Sequence, residues 1–124
     1  MPFLADTVFD NGLSTLTTNL DRVDICYTQE PTTYTEATST YSCGNSATTT
    51  GSPTAGDTSG RKVTIQAISS GSVTDTQTAG WWAGTNGTDT FYAANALSAT
   101  QAVTSGNTFS LTAIDIEMLD AVTE

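Results

Sequence analysis

The sequence predicts a mainly β fold: a small antiparallel β-sandwich or barrel-like domain with a short N-terminal helix, an N-terminal arm and a long Ser/Thr/Gly-rich loop. Three observations predict it. Threonine, serine and alanine dominate, Lys62 is the only lysine and glutamine is sparse, so β-branched and turn-forming residues outnumber the long-chain helix formers. Apolar and polar residues alternate through 61–68 and again through 109–118, the period of a strand with one buried face. Between those segments, Asn86-Gly87 supplies strong hairpin-turn chemistry. The 124 residues suit one domain with a single modest core, at about 100–200 residues per domain.

From the N-terminus, residues 1–12 read as an arm. Phe3, Leu4, Val8 and Phe9 are apolar, while Pro2 and Gly12 interrupt regular structure. Such an arm must be covered by its own domain or by a partner. Residues 13–37 hold a short helix, a strand and a helical turn. Leu13, Leu16 and Leu20 fall on one helix face, with Asp10 or Asn11 as N-cap. Three intervening threonines weaken that helix, so packing must hold it. Residues 22–27 switch to period two, with Val23, Ile25 and Tyr27 opposed to Asp24 and Cys26, and Glu30-Pro31 closes the strand. Thr33 followed by Glu36 has the form of a capping box, and Tyr34 is a candidate anchor beside it.

Residues 38–60 are rich in Ser, Thr and Gly and predict an extended or mobile loop, tethered by Tyr41. Residues 61–124 form the expected β core. Val63, Ile65 and Ala67 share a face, 69–72 makes a turn, and 73–78 is a polar strand leading into Trp81-Trp82. A type I′ turn at Asn86-Gly87 returns the chain through Phe91-Tyr92, and a short segment follows around Val103. In the last strand the apolar phase changes between Ala113 and Ile114, which indicates a bulge or a crossing between two sheets.

Charge narrows the partners. Thirteen acids against Arg22, Arg61 and Lys62 give a net charge of −10. Nucleic acid and anionic membrane surfaces need clustered cations, and this chain has too few. No stretch reaches the roughly 18–20 apolar residues of a membrane span, and the apolar run at 2–5 lacks the basic flank of a signal peptide, so a soluble protein is expected.

Chemistry is sparse. The chain has no histidine and no GxSxG, so activated serine or cysteine nucleophiles lack their usual base. Asp21 with Asp24, and Asp115 with Glu117, are carboxylate pairs, but the second reads as the solvated face of a strand. Asp10-Asn11-Gly12 lacks the spacing of a calcium loop, and two cysteines without histidine leave zinc short of ligands, so neither metal nor cofactor is expected. For Cys26 and Cys43, two separate thiols are favoured over a disulfide. Asn86-Gly87-Thr88 matches a glycosylation acceptor, yet turn chemistry accounts for the same residues. Adjacent strand residues point to opposite faces, so either one of Trp81 and Trp82 is inward and the other outward, as a contact anchor or a sugar platform, or a two-layer domain buries both.

Several strings carry a resemblance: Ile25-Cys26 followed by 29–37, Thr40-Tyr41-Ser42 with Gly44-Asn45, 59–64, 101–109 and Asp115-Ile116. Together they resemble small head structural proteins of tailed bacteriophages, of the capsid decoration (cement) type, over nearly the whole chain beyond residue 12. The resemblance implies a non-enzymatic virion protein on the capsid surface, made in the host cytoplasm. It implies binding to assembled major capsid protein, as a homotrimer that bridges neighbouring capsid subunits. It also implies a small buried apolar role for Cys43. On that reading Phe3, Leu4, Val8 and Phe9, with Trp81 or Trp82, lie at protein–protein contacts. The alternatives are a tail or head–tail joining component, and a carbohydrate-binding attachment module.

Overall fold

A central strand, β1 (Arg22–Cys26), organises the computed structural model, which describes residues 5–119. It is preceded by a helix, α1 (Asp6–Asn19), and followed by a π-helical turn (Glu36–Thr40). Then come β2 (Ser42–Ala47), β3 (Thr54–Ala55), β4 (Arg61–Ile65), β5 (Ile68–Val73), β6 (Gln77–Thr85), β7 (Phe91–Val103), β8 (Thr108–Leu111) and β9 (Ile114–Met118). Six strands form one sheet in the order β7-β6-β1-β2-β5-β8, and three form a second in the order β3-β4-β9. All pairings are antiparallel. The sheets curl into a half-barrel, so the protein is mainly β with one N-terminal helix, as the sequence predicts.

The helix starts earlier than the leucine spacing indicates. Phe9 joins Leu13 as a buried residue one turn before, which extends the apolar stripe into the expected arm. Burying each such side chain stabilises the fold by about 1.5–3 kcal/mol, enough to outweigh the cost of Gly12 inside a helix. Neither Asp10 nor Asn11 caps it: the N-cap is Ala5, without a side-chain hydrogen bond, and Asp6 faces the helix dipole in the first turn. Residues 1–4, and with them Phe3 and Leu4, lie outside the described residues.

The core is not confined to 61–124. Leu20, Val23, Ile25, Cys43, Ile65, Trp82 and Phe109 belong to one buried cluster, contributed from both halves of the chain. β1 is covered on both faces, so Asp24 is buried along with its apolar neighbours. The expected loop at 38–60 contains β2, β3 and an isolated bridge from Thr50 to Ile65. Its side chains are small and polar, but its backbone is laddered, and Cys43 and Gly44 sit deep in the sheet.

Two turn assignments and one strand assignment change. Residues 69–72 lie within β5, because the Phe109 ring occupies the place where a Gly71 side chain would be. The polar strand expected over 73–78 is broken at 74–76. The hairpin after Trp82 is real, but its turn is a longer loop: Oδ1 of Asn86 accepts the N–H groups of Thr88, Asp89 and Thr90, each at 2.9 Å. Only Gly87 has positive φ there, so the turn is not type I′. Ala67 is exposed, and β7 runs unbroken through the segment around Val103. The phase change after Ala113 is a crossing: β8 belongs to the large sheet and β9 to the small one.

Candidate protein-contact surface

The sheet divides the adjacent tryptophans. β6 pairs with β1 through Ile25↔Trp82 and Cys26↔Trp81, so the rings leave on opposite faces. Trp82 is 7% exposed and belongs to the main core. Trp81 is half-buried on the outer face, where it packs with Tyr41, Phe91 and Ala94 over a floor of Cys26, Ala37 and Ala83. The π-helical turn supplies part of that floor. Thr33 Oγ1 accepts the Glu36 N–H at 3.2 Å, while Glu36 Oε1 accepts the Thr32 N–H at 2.9 Å, a displaced form of the expected capping box.

The expected contact residues therefore separate. Val8, 53% exposed on α1, is available at the surface, and Trp81 is partly so. Phe9, at 3% exposure, and Trp82 are interior and cannot serve as primary contacts without opening the core. The sequence reading missed Met118 and Leu119, 39% and 55% exposed. A Cβ built on Gly12 would lie 3.9 Å from Met118 Sδ, and Gly12 is one helical turn from Val8. Met118 was visible only as a strand-end residue; its position beside α1 depends on the long-range β4–β9 pairing.

The titratable groups are tied into structure. Asp24 accepts Arg22 Nε at 2.7 Å, Arg22 Nη2 at 2.9 Å and Ser42 Oγ at 2.6 Å. Asp115 is bonded to Thr64 and Lys62; the Thr64 hydroxyl above all, with Lys62 beside it, holds its carboxyl below the usual range. Glu117 accepts the backbone N–H of Asp57. Burial pushes the Cys26 thiol up to about 12 and the Cys43 thiol up to about 11, so both are protonated at neutral pH. They form no disulfide: Cys26 Sγ donates to Ala37 O and Cys43 Sγ to Ile25 O. Asn86 is committed to its loop, its Nδ2 donating to Asp89 at 3.0 Å, which fits the turn reading of Asn86-Gly87-Thr88.

Among the described residues, no three His, Cys, Asp or Glu side chains are grouped as a metal would need, and no helix is long and apolar enough to cross a membrane. The arrangement can offer apolar and aromatic contact area on a sheet held by backbone ladders. No protein-family model matches the chain, and neither the curated proteins nor the solved structures compared with it contain a match.

Proposed function

We propose that this chain is a virion structural protein that binds the exterior of an assembled capsid and stabilises the shell by bridging neighbouring capsid subunits. It acts mechanically, without catalysis or cofactor, as a homo-oligomer. The observation that carries the reading is the partly buried aromatic cluster of Tyr41, Trp81 and Phe91 on the outer face of a laddered sheet. Aromatic side chains seated on a rigid support bind partner proteins at low entropic cost, because little is ordered on association. The resemblance of the sequence strings to decoration proteins supplies the class of partner. The acidic surface suits a protein that stays dispersed at high copy number.

The test uses shells assembled without this protein. Trp81→Ala and Val8→Ser are expected to lower occupancy of those shells; Val8→Ser leaves the melting temperature near wild type, and Trp81→Ala, which also removes packing from the outer cluster, lowers it by less than Trp82→Ala does. Trp82→Ala is expected to lose stability by about 3–5 kcal/mol, as a core truncation. Normal occupancy with both surface variants would refute the assignment. Copy number separates decoration from a head–tail connector, since hundreds per particle fit only the former. A carbohydrate-binding reading draws on the same aromatic cluster, and glycan-array binding abolished by Trp81→Ala would favour it.

A further inference from the structure

β7 and β8 are joined by a short turn at 104–107, in which the Asn107 N–H donates to Thr104 O at 3.0 Å and Gly106 has φ +91°. These are the marks of a type II turn. A two-residue type II turn has the wrong twist for a tight hairpin and splays its flanking strands. It does so here. Among the described residues, β7 pairs only with β6 and β8 only with β5, so the two strands are the edges of the six-stranded sheet. Their Cα atoms mostly stand more than 8 Å apart. The turn is held away instead, by bonds between Val73 and both Gly106 and Asn107.

Two grooves fill the seam between these edges. The first, about 330 Å³, is flanked by 101–104 and 107–110. The second, about 250 Å³, is flanked by 96–98 and 111–114, with Trp82 in its wall. The flanking numbers fall on one side as they rise on the other, as in an antiparallel hairpin pulled open. Neighbouring strands lie about 4.8 Å apart, so inserting one strand requires a gap of about 9.6 Å. Between the grooves β7 bulges, with 97–100 opposed by Gly80 alone, so an inserted strand meets β7 in two short runs.

Charge identifies the kind of strand. Residues 90–114, which contain both edges, carry no charged side chain in a chain of net charge −10. Natural sheet edges are commonly guarded by lysine or other charges, and these are not. Leu97, Leu111 and Ile114 pack against the core along the second groove, so an entering strand finds apolar positions on its inner face.

We propose that the seam receives one extended, uncharged polypeptide strand from the capsid protein, antiparallel to one edge and parallel to the other, closing the half-barrel. This rests on the capsid-binding reading above. Residues 120–124 match the seam poorly in sequence, because Asp120 and Glu124 would bring charge into it, and Pro2 has no N–H to donate to a ladder.

The test is amide hydrogen exchange on the full chain, free and bound to shells assembled without it. Backbone amides in 101–103 and 108–111 are expected to slow together on binding, by roughly tenfold or more. Gln101→Lys and Ser110→Lys, both at exposed positions, should each cut occupancy roughly tenfold with unchanged melting, while Thr58→Lys, outside the seam, should not. Binding with one edge or neither protected overturns the seam inference and leaves the capsid reading standing. No binding at all overturns the capsid reading, and the seam inference with it.

Discussion

Removing Arg22 should cost more than removing the acid it pairs with. Asp24 is fully buried, whereas the Arg22 side chain is 28% exposed. Two of the three hydrogen bonds to Asp24 come from Arg22 and the third from Ser42. Arg22→Ala leaves a buried carboxylate with one hydroxyl donor, and stranding one member of a buried pair costs about 3–5 kcal/mol. Because the guanidinium side of this pair is part-exposed and water can enter once it is gone, about 3 kcal/mol is the expected loss. Asp24→Ala strands a guanidinium that reaches solvent, so the loss is closer to about 1.5–2.5 kcal/mol, from lost charge-assisted hydrogen bonds and the small cavity. Replacing both, as Arg22→Met with Asp24→Leu, should return stability to within about 1 kcal/mol of wild type, since neither charge is left uncompensated. Urea unfolding at neutral pH measures all three, with an unchanged m value as the check that the transition is the same. A loss below about 1 kcal/mol for Arg22→Ala, or a larger loss for Asp24→Ala, would refute the account of which charge the fold shelters.

Three further outcomes follow from single features. Thr28 is the one non-glycine residue with positive φ among the described residues, at +75°, inside a turn closed by the Gln29 N–H donating to Tyr27 O at 2.9 Å. Thr28→Gly should therefore raise stability by about 0.5–1 kcal/mol, relief of strain exceeding the added chain entropy, and a lower urea midpoint would contradict this. Thr50 Oγ1 is buried without a hydrogen-bond partner among the described residues, so Thr50→Val should gain about 1 kcal/mol, and a loss would mean that the hydroxyl has a role in the fold. The buried thiols make the protein alkali-sensitive. With Cys26 raised to about 12 and Cys43 to about 11, the unfolded chain gives up protons, from about pH 8.5 upward, that the folded chain keeps. Their stabilising contribution is thus full below the unfolded thiol value and is lost as pH rises toward 11–12, with a slope of up to about 1.4 kcal/mol per pH unit per thiol. Cys26→Ala should flatten stability against pH between 9 and 11, and an unaltered slope would exclude the thiol as its source.

Local pattern made some features legible and distant contacts hid others. Val23 and Ile25 announced β1 through period two, and the phase change at Ala113–Ile114 announced the crossing between sheets, because both are properties of a few consecutive side chains. The split of Trp81 from Trp82 was legible for the same reason. Which ring faces inward was not, since that depends on the Cys26↔Trp81 and Ile25↔Trp82 register set by a strand more than fifty residues earlier. β2 and β5 were hidden because Ser, Gly and Asn give no periodic apolar signal; Gly71 reads as a turn residue until Phe109 is seen lying over it. Phe9 was assigned to an arm because Gly12 intervened, and the helix tolerates Gly12 at its exposed surface.

The charges are sorted over the fold in a way that bears on every proposed contact. Each of the three cations is already paired: Arg22 with Asp24, Arg61 with Asp10, and Lys62 with both Asp57 and Asp115. What remains unneutralised is acidic, so a polyanion approaching any face meets repulsion without a free cation to bind. The uncharged run 90–114 is the exception, and the topology uses it for both edges of the large sheet. A partner can approach there without meeting carboxylates of this chain in the contact. Association through that seam should accordingly not weaken steeply with added salt, because the contact contains no ion pair to lose, and it should gain from salt where the partner is itself acidic and screening weakens the long-range repulsion. Sedimentation of shell-bound protein between about 20 and 300 mM salt measures this: over that range the Debye length falls from roughly 20 to 6 Å. Binding that weakens steeply with salt would require attractive ion pairs in the interface, and neither edge has a charge with which to make them.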